Sequence, residues 1–234
     1  MSKKLMLEIK NLDVAYGHAK VLHDVSFRIE KGQMAFFTGR NGAGKTTLLK
    51  TIMGLMKPQK GSIQYQDQEI TGKSPEELYP LGLRYVGQEK KVFGNLTVRE
   101  NIEVAAFGSH ESMDRALEKV MALYPKLKNL LHIKAGQLSG GQRQILLVGR
   151  ALVGDPKFLL IDEPTQGLAA VVIEDIGVIL KRLKEQVSAV IVEQNLAIVK
   201  YLADRVYILK EGKLAKEIKE KSEIADTQGM EEYL

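Results

Sequence analysis

Apolar residues occupy every second position in two segments near the start of the chain. They are Leu5, Leu7 and Ile9 in the first segment, and Val25, Phe27 and Ile29 in the second. Alternation with a period of two is typical of strands that bury one face, and such strands are usually antiparallel. We therefore predict an antiparallel pair of strands, with residues 14–18 forming a loop between them.

Unbroken apolar runs replace this alternation further along the chain, at residues 34–37, 158–161 and 189–192. Such runs are typical of strands that are buried on both faces, as in parallel sheets. Residues 172–184 have helical spacing, which completes a strand–helix–strand unit with the last two runs. The pattern predicts an α/β fold that closes with a hairpin around Glu211 and Gly212.

The middle of the chain has helical signals instead. Thr97 and Glu100 have the spacing of a capping box, in which each side chain accepts a hydrogen bond from the other residue's backbone N–H. Apolar positions then recur at helical spacing until Pro125, where that helix is expected to end. We therefore predict a helical block, residues 95–155, inserted into an α/β core made of residues 1–94 and 156–234.

The composition mainly excludes classes of protein and kinds of site. The 234 residues are 44% hydrophobic and 27% charged, which is ordinary for a globular protein. No apolar run approaches the roughly 18–20 residues of a membrane span, and residues 1–8 lack the apolar region of a secretory signal. The chain has no cysteine, so a disulfide framework or a thiolate metal site is excluded and a cytoplasmic location is expected.

The net charge of +5 comes from lysines that are scattered along the chain, which favours a solvated basic surface. A basic face toward an anionic membrane leaflet is the alternative. Nucleic-acid binding is not expected, because tryptophan is absent and aromatic residues make up only 6% of the chain.

A glycine-rich segment follows the apolar run at residues 34–37 and precedes a predicted helix that includes Thr47. The segment consists of Gly39, Arg40, Asn41, Gly42, Ala43, Gly44, Lys45 and Thr46. Strand, glycine-rich turn and helix form the context of a phosphate-binding loop, in which backbone N–H groups and the helix N-terminus face the anion. Lys45 can reach the β- and γ-phosphates and the Thr46 hydroxyl can ligate Mg²⁺. The segment therefore predicts a nucleoside triphosphate site.

Polar residues directly follow two of the predicted strands. Asp162 and Glu163 end the run at residues 158–161, and Gln88 follows the strand predicted at residues 83–86. Ligands of open α/β sheets lie beyond the carboxyl ends of strands, so we expect all three beside the phosphates. Asp162 is suited to hold Mg²⁺ with Thr46, and Glu163 to accept a proton from the attacking water.

Ser139, Gly140, Gly141 and Gln142 form a second glycine-rich helix start, with Ser139 and Gln142 at capping-box spacing. A helix N-terminus with two glycines is a second potential anion site. The two sites either come together in one chain or are shared between two molecules, and the residue pattern alone leaves both arrangements open.

The order of these segments resembles that of ABC ATPases along essentially the whole chain. The resemblance rests on the phosphate loop, Gln88, the Leu-Ser-Gly-Gly-Gln sequence at residues 138–142, residues 159–165, and Val-Glu-Gln-Asn at residues 192–195. It implies a P-loop NTPase (RecA-like) core with an antiparallel β subdomain and an inserted α-helical subdomain. It also implies a head-to-tail dimer, in which ATP lies between one subunit's phosphate loop and the other's signature helix.

The resemblance also assigns residue roles. Tyr16, which could otherwise be a core residue, becomes the adenine-stacking aromatic. Gln88 becomes a contact to Mg²⁺ and water that senses the transporter, and Glu163 the catalytic base. Ser139, Gly141 and Gln142 would contact the γ-phosphate across the interface.

Two positions depart from the general family pattern. Ala169 stands where many members have aspartate, and Gln194 stands where most have a histidine switch. Glutamine can donate a hydrogen bond to the γ-phosphate but cannot titrate, so γ-phosphate sensing is retained without a protonating switch. Both departures resemble the ATPases of branched-chain amino-acid and of amide or urea uptake systems, although Ala170 replaces their usual proline.

The resemblance therefore implies the ATP-hydrolysing subunit of an importer for branched-chain or related amino acids. Its partners would be separate membrane permease subunits, a second copy or a homologous ATPase subunit, and, indirectly, an extracytoplasmic solute-binding protein. The expected location is the cytoplasmic face of the cell membrane. The alternatives are a urea or amide importer ATPase, and a non-transport ABC ATPase that acts on ribosomes or DNA.

Overall fold

The computed structural model describes residues 4–231. Two predictions extend outside the described residues. The segment interpreted as lacking a secretory signal includes residues 1–3, and the predicted core includes residues 232–234. The strands are β1 (Leu5–Tyr16), β2 (Ala19–Glu30), β3 (Met34–Thr38), β4 (Lys60–Tyr65), β5 (Gln68–Glu69), β6 (Leu83–Val86), β7 (Phe158–Asp162), β8 (Ser188–Val192), β9 (Arg205–Lys210) and β10 (Lys213–Ile218).

Helices connect most of these strands. They are α1 (Lys45–Ile52), α2 (Pro75–Leu78), α3 (Val98–Gly108), α4 (Met113–Leu123), α5 (Gly140–Leu152), α6 (Ala170–Lys184), α7 (Leu196–Leu202), α8 (Lys221–Ala225) and α9 (Thr227–Glu231). Across residues 4–231, none of the helices combines the length and the apolar character that crossing a bilayer requires.

Four strands form an antiparallel sheet in the order β2-β1-β4-β5. Leu7 pairs with Ile29 and Ile9 with Phe27, which confirms the predicted antiparallel pair. The loop predicted at residues 14–18 is wrong in part, because β1 continues to Tyr16 and only the next two residues form the turn. Register shifts interrupt the pairing between residues 9 and 15, so the side-chain alternation that indicates a strand is lost there.

The second sheet has six strands in the order β10-β9-β3-β8-β7-β6. The five strands from β9 to β6 are parallel, and β10 pairs antiparallel with β9 as the predicted closing hairpin. All residues of β3, β7 and β8 are buried, as their unbroken apolar runs predict. The segments that follow β3, β6, β7 and β8 therefore leave the sheet at one edge.

The parallel sheet has a hydrophobic cluster on each face. Met34 and Phe36 pack with helices α3 to α7, whereas Ala35 and Phe37 pack with α1 and the antiparallel sheet. The Phe37 ring stacks on Tyr207 with the ring centroids 4.8 Å apart. This arrangement confirms the α/β fold class, while the division into a core (residues 1–94 and 156–234) and a helical subdomain (residues 95–155) stays a prediction.

Candidate functional site

The glycine-rich segment after β3 leads directly into α1. Gly44 precedes the first helical residue with a left-handed φ of 100°, and a Cβ atom there would lie 2.6 Å from Leu22 Cδ2, so glycine is required. No side chain caps α1 at Gly44. The N–H groups at the start of α1 are thus suited to bind an anionic ligand.

Lys45 is buried beneath this turn, with 5% of its surface exposed. Its Nζ donates to the carbonyl oxygens of Gly39 at 2.7 Å and Arg40 at 3.0 Å, and lies 3.9 Å from Glu163 Oε1. Burial lowers the pKa of the ammonium, and the carboxylates of Glu163 and Asp162 oppose that shift. Lys45 can therefore exchange neutral carbonyl partners for phosphate oxygens without first breaking a close ion pair.

Asp162 lies at the carboxyl end of β7 and is fully buried. The Thr46 hydroxyl donates to its Oδ1 and the Tyr85 hydroxyl donates to its Oδ2, each at 3.2 Å. Burial raises the pKa of Asp162, and the hydrogen bonds from Thr46 and Tyr85 act against that shift. One buried carboxylate beside one threonine hydroxyl fits Mg²⁺, which takes few protein ligands and completes its shell with phosphates and water.

Glu163 is the point where three loops meet. Gln194 Nε2 donates to Glu163 Oε1 at 2.7 Å, and Gln88 Nε2 donates to Glu163 Oε2 at 3.2 Å. Gln194 Nε2 also lies 2.7 Å from Asn41 Oδ1, which connects this group to the phosphate loop. The Glu163 backbone has a left-handed φ of 47°, a conformation that costs a non-glycine residue roughly 1 kcal/mol or more.

The structure thus brings most of the predicted phosphate-site residues together. Within the loop, Gly39, Ala43, Gly44, Lys45 and Thr47 are buried, and Arg40, Asn41 and Gly42 are exposed. Tyr16 lies at the end of β1 with 51% of its surface exposed, so its ring is available to stack on a base.

A groove of about 990 Å³ lies beside this site. Residues of α1, of the segment around Gln88, of α3 and of α5 line it, with Thr46 and Asp162 among them. Val104 of α3 lines the groove and is 41% exposed, and Phe107, which precedes the lining residue Gly108, is 85% exposed. An apolar ridge beside an open groove is typical of a surface that binds another protein.

The second predicted anion site is the start of α5. The Ser139 hydroxyl accepts a hydrogen bond from the Gln142 N–H, and the Gln142 side chain accepts one from the Ser139 N–H. A Cβ atom on Gly141 would lie 2.3 Å from Val172 Cγ1, whereas the nearest atom to one on Gly140 is 3.9 Å away. Gly141 is therefore required by packing against α6, in addition to any role in anion binding.

Two residues beside the phosphate site were assigned no role from the sequence. Tyr85 bonds Asp162 from β6, and Glu193 follows β8 with only 2% of its surface exposed. Glu193 could have been found, because it directly follows an apolar run as Asp162 does. No sequence signal distinguishes Tyr85 from an ordinary strand tyrosine, since its contact depends on how β6 pairs with β7.

The ABC transporter family model matches residues 22–166 of the chain, which include the phosphate loop, the start of α5 and Glu163. The chain belongs to the ABC transporter family. This match confirms the predicted resemblance to ABC ATPases. The solved ATPase cassettes of the family also have the predicted fold class.

Curated ABC relatives cover most of the chain. It is 38% identical to the high-affinity branched-chain amino acid transport ATP-binding protein BraG of Pseudomonas aeruginosa, over 89% of the chain and 91% of BraG. It is 36% identical to the probable branched-chain amino acid transport ATP-binding protein LivF of Archaeoglobus fulgidus, over 90% of each.

Solved ABC cassettes have the same fold. A nucleotide-free ATP-binding cassette from an ABC transporter superposes with a TM-score of 0.86 at 30% identity, over 98% of this chain and 97% of that one. A dimeric cassette in a post-hydrolysis state, bound to ADP and Pi, superposes with a TM-score of 0.82 at 26% identity, over 92% and 98%. This ABC transporter subunit is thus an ATPase whose hydrolysis of ATP is coupled to transport.

Proposed function

We propose that the chain is the ATPase subunit of an importer for branched-chain or related amino acids. The printed names of BraG and LivF, both similar along about nine tenths of the chain, support this solute class. The observation that carries the proposal is the Gln194 amide, which replaces the more usual histidine and contacts Glu163 at 2.7 Å. That replacement, together with Ala169, resembles the uptake ATPases of this class.

The geometry around Glu163 supports the following catalytic roles. Glu163 accepts a proton from the water that attacks the γ-phosphorus, and ADP leaves as the bond to its β-phosphate oxygen breaks. Lys45 stabilises the charge on the β- and γ-phosphates, and Gln194 donates a hydrogen bond to the γ-phosphate.

Thr46 and Asp162 would hold Mg²⁺, and Gln88 would reach it or the attacking water. When bound, Mg²⁺ neutralises charge on the phosphates. The 3.2 Å contact between the Thr46 hydroxyl and Asp162 supports this assignment, because it brings one hydroxyl and one carboxylate oxygen close enough to bind the same ion.

ATP would be bound between two chains arranged head to tail. Among the solved cassettes that this chain resembles are dimers, one of them bound to ADP and Pi, which supports a shared site. In that arrangement Ser139, Gly140, Gly141 and Gln142 contact the γ-phosphate bound to the other chain. The second chain would be another copy or a homologous ATPase subunit.

The groove beside Gln88 and the ridge of Val104 and Phe107 would receive a loop of the membrane permease. Gln88 touches Glu163 on one side and borders the groove on the other, so a bound loop could bias the catalytic site. The permease would be a separate chain, with this subunit on the cytoplasmic face of the cell membrane. An extracytoplasmic solute-binding protein would act on it only through the permease.

Affinity capture of the full chain from detergent-solubilised membranes tests this function. We expect a multispanning membrane protein to co-purify with the parental chain and to be lost with Phe107→Asp, because the charge disrupts the apolar ridge. Val178→Asp is the matched control, since Val178 is 49% exposed but lies on α6. Capture of ribosomes or DNA instead of a membrane protein would contradict the transporter proposal.

Uptake of labelled solutes in cells that carry the chain or its Lys45→Ala variant then identifies the solute. We expect leucine, isoleucine and valine uptake to require the parental chain. Dependence of urea or amide uptake, with unchanged leucine uptake, would favour the alternative importer class.

A further inference from the structure

Glu193 is a buried carboxylate to which the catalytic scheme assigns no task. It follows β8 with 2% of its surface exposed. Its Oε1 accepts hydrogen bonds from both the N–H, at 3.0 Å, and the hydroxyl of Thr165. Its Oε2 accepts from the N–H groups of Gln194, at 2.7 Å, and Asn195, at 2.8 Å. Each oxygen therefore binds a different loop.

Both loops are connected to Glu163, the proposed catalytic base. Thr165 lies two residues after Glu163 and is itself buried. On the other side, Gln194 donates to Glu163 and reaches Asn41. The Asn195 side chain then caps α7 by accepting from the N–H groups of Ala197 and Ile198. The backbone of Gln194 is thus held between the Glu193 carboxylate and the start of α7.

Only a carboxylate can accept hydrogen bonds from the donors of both loops at once. Four donors point at Glu193, and an ionised carboxylate has about four acceptor positions and no hydrogen to oppose them. A glutamine of the same shape would place its NH₂ group against the N–H groups of one loop. Burying a charge is unfavourable unless hydrogen bonds compensate it, so four donors at one carboxylate indicate a site that is built for it.

We propose that Glu193 is a positioning residue for ATP hydrolysis, which ties the loop at Thr165 to the backbone of Gln194 and so holds the Gln194 amide against Glu163. This inference rests on the proposed roles of Glu163 and Gln194. It adds that the segment beginning at Thr165, which includes Ala169 and leads into α6, is linked through Glu193 to the γ-phosphate contact.

A double-mutant cycle of turnover tests the positioning role. We expect Glu193→Gln to lower kcat about tenfold with a change of less than about twofold in the KM for ATP, because the nucleotide contacts of Lys45 and Thr46 remain. Gln194→Ala should lower kcat by a similar factor. In the double variant we expect no further loss, since Glu193 acts through Gln194.

Thr165→Val provides a second variant, since it removes only the hydroxyl donor to Oε1 and keeps the shape of the side chain. We expect about a threefold loss of kcat in the parental chain and none in the Gln194→Ala background. This measurement carries the test if thermal unfolding shows that Glu193→Gln does not fold.

Losses that multiply in the double variants would overturn the inference, because Glu193 would then support the fold independently of Gln194. An unchanged kcat in both Glu193→Gln and Thr165→Val would also overturn it. If Gln194→Ala alone leaves kcat unchanged, the proposed role of Gln194 fails together with the inference, while the role of Glu163 as base is tested separately by its own substitution.

Discussion

The phosphate loop and the start of α5 are both glycine-containing helix starts, but their side chains have different partners. At the phosphate loop, buried Lys45 contacts carbonyl oxygens and Glu163, and Thr46 contacts Asp162. At α5, exposed Ser139 and half-buried Gln142 hydrogen-bond each other within one turn. The first region has buried charges arranged for chemistry, and the second has a neutral, already capped helix end.

This difference favours the phosphate loop over the start of α5 as the main nucleotide contact. In their proposed roles, Lys45, Asp162 and Glu163 add a cation, a metal ligand and a base to the N-terminus of α1. The start of α5 provides mainly N–H groups and a helix dipole, which are worth roughly 0.3–1 kcal/mol at an exposed site. We therefore expect loss of Lys45 to abolish nucleotide binding, and a change at Ser139 to lower turnover without weakening nucleotide binding.

Lys45→Ala should have the largest effect. Removal of the buried ammonium leaves the phosphates facing nearby carboxylates, so ATP binding and turnover should both be lost. At ATP concentrations of about 100 times Kd, the stabilisation that disappears is about 2.7 kcal/mol, measured as the ATP-dependent shift in Tm. Lys57→Ala, at an exposed position just after α1, is the control; retained ATP stabilisation in Lys45→Ala would contradict the assignment.

Glu163→Gln should separate binding from chemistry within the phosphate-loop region. Loss of the general base should lower turnover by about a hundredfold or more, because glutamine cannot accept the proton. ATP binding should persist, and size-exclusion chromatography in ATP should show a longer-lived dimer. Glu174→Gln, on the exposed face of α6, should leave turnover unchanged. A Glu163→Gln variant that turns over at the parental rate would remove Glu163 as the base.

Ser139→Asp should lower turnover by about tenfold or more without weakening nucleotide binding to the monomer. Aspartate is a good N-cap residue, so α5 should still form, but its charge repels the γ-phosphate. Ser139→Asn keeps the cap without the charge and should retain most of the turnover. Equal losses in both variants would argue against phosphate contact at Ser139.

Mixing the Lys45→Ala and Ser139→Asp chains tests whether the two helix starts form one site shared between chains. In a head-to-tail dimer, each mixed pair has one site with both changes and one with neither, so about a quarter of the sites should be intact after random pairing. Turnover should therefore rise on mixing to about a quarter of the parental value, above that of either chain alone. The absence of this rise would indicate that each chain builds its site alone.

Gly141→Ala should have the smallest effect and concerns stability. The added Cβ would overlap Val172, so we expect a loss of about 1–3 kcal/mol in the free energy of unfolding. Gly140→Ala should change it by less than about 0.5 kcal/mol, because that position has space. Val172→Ala should restore stability to Gly141→Ala in thermal unfolding; failure to do so would separate the glycine from the α6 contact.

The sequence predicts those parts of the site that follow buried strands. Gln88, Asp162 and Glu163 follow predicted strands that end at the same edge of the sheet, so the strand pattern was enough to place them together, whereas Gln194 was assigned from the family resemblance. Tyr85 could not be assigned, because its contact with Asp162 depends on the pairing of strands more than 70 residues apart. The extent of β1 was also missed, because bulges disrupt its alternation near Tyr16.

In its proposed role as the base-stacking residue, the exposed Tyr16 at the end of β1 would affect which nucleotide the subunit uses. A base stacked on a tyrosine is bound through its π face, which all purines share, and stacking does not distinguish the amino group of adenine from the oxygen of guanine. Phosphate contacts, which are identical in both nucleotides, would supply most of the affinity. The energy source of the transporter would then be set by the relative abundance of purine triphosphates in the cell rather than by the protein.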